Sequence, residues 1–264
     1  MTQLPYELMH PPHPDDGNPL AGFIEWLKKT PSTTLTTTTV RPGLAELLTH
    51  YISLSSTCQD DKPRLIRLKA PLALFLAAVE YNSINKTTGP ITQLYIAQAP
   101  LGELPHRLQQ DVPAPNLVQH AGRGDIYDSS VWLGLEPTYT PWHRDPNPNL
   151  FCQLCSSKTV RLTGPKAGER IFRQVQEDLM KTRRSDLHSA SSRIRGEEMM
   201  QGPERELLHR AVWRDDGENG GRGIMHEAQL DAGDMLFIPK GWWHSVRSVH
   251  ADGRLNGSVN WWFR

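Results

Sequence analysis

The chain has 264 residues, 38% of them hydrophobic and 22% charged, enough apolar material for a sizeable core in one or two domains. Lys+Arg and Asp+Glu both number 29, so no global basic field exists and nucleic acid is not an expected partner. No apolar run reaches the roughly 18 residues of a membrane span, and Met1 to His13 lacks the basic and apolar regions of a secretory signal.

Residues 1–20 read as an irregular, Pro-rich arm. Leu20, Phe23, Ile24 and Leu27 recur at helical spacing, and Pro31 ends that helix. The Ser/Thr run from Ser32 to Thr39 reads as a loop or edge strand. Pro42 to Tyr51 and Ala70 to Tyr81 are helix candidates, each with Pro near its start. Ile91 to Ala97 alternates as a strand does.

The pattern changes after Ser129. Val131–Leu135, Tyr139–Asp145, Leu150–Leu154 and Lys158–Leu162 read as short strands, the last two joined at Ser156-Ser157. From Thr163 to His226 the chain turns polar and helical, with helices expected over Glu169–Arg184 and Gly202–Trp213 and a loop over Asp215–Gly223. Lys166 to Arg210 holds 10 Lys/Arg against 8 Asp/Glu, the mixture of a solvated helix face. Lys181 to Arg184 is a small basic knot, and Ser185 to Ser192 is a candidate lid. Strands resume at Glu227, over Gly233–Pro239, Trp243–Val249 and Gly257–Phe263. Gly 20 and Pro 21 suit many turns, and the whole suggests a sandwich or jelly roll interrupted by a helical insertion.

Of the three cysteines, Cys58, Cys152 and Cys155, the last two form a C-x-x-C with no second pair to complete a zinc site. Core packing is the better reading. The low, odd count fits a reducing compartment.

The chemistry concentrates in two places. In Thr140-Pro141-Trp142-His143-Arg144-Asp145, a strand puts His143 and Asp145 on one face. The second is Gly233 to Pro239, a turn and an apolar strand, followed by Lys240-Gly241 and Trp242-Trp243-His244. Two imidazoles and one carboxylate leave three positions open on an octahedral metal, the usual Fe(II) oxygenase set, although Mn, Co and Ni accept the same ligands. Trp142, Trp242 and Trp243 are candidates for a substrate-packing mouth or for walls of the site.

These segments, with Trp132 to Asp145, Asn149 to Gln153 and Lys158 to Leu162, resemble the JmjC family of 2-oxoglutarate oxygenases in the cupin superfamily, closest to its small hydroxylase-like members. The resemblance implies a mainly β fold. This is a double-stranded β-helix (jelly roll) with N-terminal helices and a helical insertion between barrel strands. It implies one cupin-like domain, with 1–128 an α+β flank and 129–264 the barrel, interrupted at about 164–226. His143, Asp145 and His244 match the Fe(II) ligands. Lys158 matches the cation that meets the distal carboxylate of 2-oxoglutarate, and Thr140 and Tyr95 match hydroxyls that bind the same group. Asn149 and Asn260 match polar residues near the 1-carboxylate and the open metal position. The family's turn before the lysine usually contains Gly, and here it is Ser156-Ser157. The implied reaction uses O2, releases succinate and CO2, and hydroxylates a protein or peptide side chain. A histone lysine demethylase and a metal-binding cupin without turnover are the alternatives.

Overall fold

The computed structural model describes residues 2–10, 19–29, 41–55, 64–85, 89–92, 94–121, 123–185, 202–214 and 225–264. In chain order the elements begin with β1 (Gln3–His10), α1 (Pro19–Lys28), α2 (Arg41–Ser55), β2 (Arg64–Pro71), α3 (Leu72–Ile84) and β3 (Leu94–Pro100). Two short helices, α4 (His106–Asp111) and α5 (Asn116–His120), lead to β4 (Ile126–Leu135), β5 (Tyr139–Arg144), β6 (Asn149–Cys155) and β7 (Lys158–Thr163). Helices α6 (Pro165–Ser185) and α7 (Pro203–Trp213) precede β8 (His226–Leu230), β9 (Met235–Ile238), β10 (Trp243–Ser248) and β11 (Leu255–Phe263).

Two antiparallel sheets face each other as a jelly roll. One has the order β2-β1-β3-β4-β11-β6-β9 and the other β5-β10-β7-β8. Strands β4 to β11 supply four strands to each sheet, and β1 to β3 extend the larger one. β6 and β7 do not pair: the Ser156-Ser157 turn carries the chain from one sheet to the other. Ser156 there has φ +57°, a left-handed conformation that a side chain disfavours and Gly tolerates. Its hydroxyl donates to Glu136 Oε1 at 2.6 Å, which offsets that strain.

Both faces of the larger sheet are buried, which explains strands that read as unbroken apolar runs. In β11, Val259, Trp261 and Phe263 pack outward with Leu150, Cys152 and Val118. The alternate residues Ser258, Asn260 and Trp262 line the interior. Phe151, Val160, Leu162, Leu230, Ile238 and Val246 fill the barrel core. A further core, with Leu4, Tyr6, Phe23, Leu48, Phe75 and Tyr81 fully buried, joins β1–β3 to α1–α3.

Several expectations need correction. Residues 3–10 are a strand, because Leu4, Tyr6 and Leu8 alternate into the core at 0, 1 and 2% exposure. Pro5, one of the prolines of that stretch, lies just beyond the register shared with β3. Strand β2 went unread, although Ile66, Leu68 and Ala70 alternate inward, and the following helix therefore starts at Leu72. β4 starts at Ile126, five residues before Val131. The Ser32–Thr39 run, residues 186–192, the Asp215–Gly223 loop and Cys58 lie outside the described residues. Lys181 to Arg184 forms the end of α6.

Helices α6 and α7 cover the outer face of the smaller sheet. Ile171, Val175, Leu179, Leu208 and Val212 bury Trp142 and Trp243 there, at 2 and 5% exposure. The close approach needs Gly168, whose missing side chain would run into the Trp243 ring. These two tryptophans therefore face away from any barrel mouth. Strand alternation turns them outward because it turns His143 and His244 inward.

Candidate metal centre and its cavity

β5 and β10 are far apart in sequence but pair antiparallel, with His143 directly opposite His244. The two imidazoles share the inner face with ring centroids 4.1 Å apart. Asp145, two residues on, sits where β5 ends, and its backbone carbonyl accepts the Gly241 N–H at 3.2 Å. One ligand atom each from His143, Asp145 and His244 lies within 4.8 Å of the others. His143 Nε2 is 4.0 Å from Asp145 Oδ1, and His244 Nε2 is 3.8 Å from Asp145 Oδ2.

The tautomers follow from hydrogen bonding. His143 Nδ1 donates to the Pro141 carbonyl at 2.8 Å, and His244 Nδ1 to the Trp242 carbonyl at 3.3 Å. A carbonyl only accepts, so each Nδ1 carries a proton and each Nε2 is the ring nitrogen turned to the centre. Burial, then the neighbouring His143, holds the His244 pKa well below the ordinary imidazole value, so it is neutral as a ligand must be. Asp145 Oδ2 accepts from Asn149 Nδ2 and from Trp262 Nε1, both at 2.8 Å. Asn149 Oδ1 in turn accepts from Asn260 Nδ2 at 2.8 Å. This chain of donors fixes the carboxylate and leaves Oδ1 free of them. The thiols stand apart from the set: burial pushes Cys152 up to about 11 and raises Cys155 as well.

All eight residues expected from the sequence line one cavity, together with Trp132, Phe151, Val246, Ser258 and Trp262. At its inner end Lys158 is 3% exposed. Its Nζ donates to Ser258 Oγ at 2.7 Å and lies 5.4 Å over the Phe151 ring. No carboxylate pairs with it among the described residues. Desolvation lowers its pKa to about 7, with Cys155 and Glu136 opposing weakly. Burial likewise raises the Tyr95 pKa, countered by the hydrogen bond between its hydroxyl and Thr140. Trp132 Nε1 is buried with no acceptor among the described residues.

The residues fit the group that the resemblance implies. Two imidazoles and a carboxylate converge at one end, and an ammonium without a carboxylate partner among the described residues, two hydroxyls and an orphaned indole N–H supply what a dicarboxylate requires. Trp262, Ser258 and Trp132 were missed as members of the site. The alternation Ser258-x-Asn260-x-Trp262 already puts Ser258 and Trp262 on the face of Asn260, and Trp132 joins them as the cross-strand partner of Ser258.

A family model for the cupin-like domain matches residues 67–264. The chain is 27% identical over 195 residues to lysine-specific demethylase JMJ30 of Arabidopsis thaliana, covering 74% of this chain and 39% of that protein. It is 28% identical over 156 residues to Jumonji C domain-containing protein 5 of Drosophila melanogaster, covering 58% and 33%. To lysine-specific demethylase 8 of Danio rerio it is 26% identical over 171 residues, covering 64% and 36%. The chain thus spans well under half the length of these relatives.

Proposed function

This chain belongs to the cupin-like domain family as a JmjC-type member, and we propose that it is an Fe(II)- and 2-oxoglutarate-dependent oxygenase that hydroxylates a protein side chain. The observation that carries this reading is the pairing, in one cavity, of a His-Asp-His cluster with a buried lysine that no carboxylate reaches among the described residues. Fe(II) with 2-oxoglutarate and O2 supplies an oxidative decarboxylation to succinate and CO2 that places one oxygen atom on a substrate carbon.

The chain's own residues do the rest. His143, Asp145 and His244 would hold the metal, and a set of two imidazoles and one carboxylate would leave room for cosubstrate and O2. Asn149 and Trp262 keep Asp145 from rotating. Lys158 meets the distal carboxylate of 2-oxoglutarate, and the Tyr95 and Thr140 hydroxyls donate to it. That anion gives Lys158 the partner it lacks, so cosubstrate binding holds the ammonium protonated. The barrel core around Phe151 and Val246 excludes water from the reacting centre.

Lysine demethylation is the second reading, favoured by the names of two of the relatives. Of the tryptophans, Trp132 and Trp262 line the cavity itself. Trp142 and Trp243 are packed under α6 and α7 and are not open to a methylammonium group. No described helix is long and apolar enough to cross a membrane. The reduced thiols Cys152 and Cys155 accord with a cytoplasmic or nuclear setting.

The test is a peptide-library incubation with Fe(II), 2-oxoglutarate and O2, read by mass spectrometry. Gain of one oxygen on an unmodified peptide, coupled to succinate, is the expected result. Loss of a methyl group with formaldehyde release would move the assignment to demethylation. No 2-oxoglutarate-dependent change on any peptide would remove the protein-substrate reading.

A further inference from the structure

A second cavity, of about 410 Å³, opens on the opposite face of the strands that carry the metal ligands. Thr140 points into the metal-centred cavity, while its neighbour Tyr139 lines this one. Its charged walls are Arg205, Glu206, His209 and Arg210 from α7 and Arg247 from β10. Three guanidiniums thus face one carboxylate. Among the described residues Glu206 pairs with Arg210, at 3.9 Å. Neither Arg205 nor Arg247 has a carboxylate partner among the described residues.

Both of these arginines are held in place by stacking. Arg205 Cζ lies 4.7 Å over the Tyr139 ring, and Arg247 Cζ lies 4.1 Å over the Trp213 ring. Trp213 is fixed in turn, because its Nε1 donates to Ser245 Oγ at 3.0 Å. A stacked guanidinium keeps its plane and presents its edge donors in a fixed fork, the arrangement that recognises tetrahedral oxyanions bidentately. Arg205 Nε is already closed off from water and has no acceptor among the described residues. A buried donor of this kind awaits a partner. His209, 5.2 Å from the Tyr139 ring between centroids, stands at the same cavity.

We propose that this cavity is a second ligand site, distinct from the metal centre, that binds the phosphate group of a small phosphate ester. A dianion matches the excess of positive charge, its oxygens match the two arginine forks and the imidazole, and the volume leaves room for an organic moiety. Burial, with Arg205 and Arg247 adding to it, lowers the His209 pKa, so an anion between these arginines raises it again.

The experiment follows the His209 imidazole by NMR in the 264-residue chain. Inorganic phosphate is titrated in, then glycerol phosphate, against sodium chloride at matched ionic strength. The expected result is a saturable shift with phosphate and not with chloride, a rise in the His209 titration midpoint, and tighter binding of the ester. Arg205→Gln weakens it at least about tenfold. Arg210→Gln, on an exposed helix position that tolerates change, weakens it several-fold, and Arg173→Gln on α6 leaves it unaltered. Saturable binding of inorganic phosphate with no gain for the ester would overturn the ester assignment. A response equal to that of chloride, or saturable binding indifferent to both Arg205→Gln and Arg210→Gln, would overturn the site.

Discussion

Lys158 Nζ donates to Ser258 Oγ at 2.7 Å, and that neutral hydroxyl is the one polar partner the buried ammonium has among the described residues. An ionised group kept out of water is costly unless it is paired. Here the pairing is left to a ligand. The strained expectation is that the ligand-free fold tolerates Lys158 and the cosubstrate complex depends on it.

The first prediction follows from the direction of the Lys158 pKa. Its folded value, about 7, lies below its ordinary 10.5, so the lysine weakens the ligand-free fold. That cost is complete below about pH 7 and is relieved as the pH rises toward 10.5. Lys158→Met therefore raises the Tm of the ligand-free protein at pH 7 by several degrees. The same change lowers 2-oxoglutarate affinity by about a hundredfold or more, because it removes the cation that the carboxylate needs. Differential scanning fluorimetry with and without 2-oxoglutarate reads both effects in one series. A fall in the ligand-free Tm would contradict the argument.

A second prediction concerns pH. Above about pH 7 the ligand-free Lys158 is neutral, so binding the dicarboxylate must take up a proton. The 2-oxoglutarate Kd then rises toward about tenfold per pH unit. Lys158→Arg keeps its charge and flattens this dependence, even where its shape weakens binding overall. Calorimetry across the neutral range in two buffers of different ionisation enthalpy measures the proton uptake directly.

Trp262 braces the candidate metal centre through Asp145. Trp262→Phe preserves most of the packing but deprives Asp145 Oδ2 of one of its two donors. Metal affinity should fall about 10- to 100-fold, the usual range for such supporting partners. Binding of Mn(II), an air-stable stand-in, gives the readout, and an unchanged affinity would show that Asn149 alone fixes the carboxylate.

Gly134 separates the role of Tyr95 from that of the metal. A Cβ there would lie 2.6 Å from Tyr95 Cδ2 and also meet the Thr138 side chain. Gly134→Ala forces the tyrosine ring to move. The KM for 2-oxoglutarate rises several-fold while Mn(II) affinity holds, if the Tyr95 hydroxyl serves the cosubstrate.

Stability has a hinge of its own far from the site. Arg41 Nη2 meets Glu80 Oε1 at 2.7 Å with both side chains largely buried, and the guanidinium lies 4.1 Å over Trp26. Arg41→Ala strands the Glu80 charge and should cost about 3–5 kcal/mol by chemical denaturation. Adding Glu80→Leu recovers much of that loss.

The pair His143 and Asp145 was legible because strand alternation is local: two residues apart, they share a face. Thr140, three before His143, joins that face only through the register shift of β5 against β10, and it and Lys158 were readable from the family resemblance rather than from spacing. The first strand was obscured because Pro5 and the surrounding prolines imitate an arm. Only its pairing with β2 and β3 reveals the Leu4, Tyr6, Leu8 stripe. The roles of Trp142 and Trp243 were hidden for a different reason. Which solvent-side face an insertion will cover is a tertiary fact, and no periodicity within β5 or β10 reports the arrival of α6 and α7. Trp262 belongs to neither group: its alternation was visible, but its indole bond to Asp145 crosses between sheets.

The central claim is that one cavity holds both Fe(II) and 2-oxoglutarate for turnover. The most direct test is succinate release from 2-oxoglutarate by the purified protein with Fe(II), ascorbate and O2, beside His143→Ala and Lys158→Ala, with cosubstrate binding measured on the same samples. The account predicts slow succinate release from the wild type and none above background from either variant. Equal release from all three, or a wild type that neither binds nor consumes 2-oxoglutarate, would contradict it.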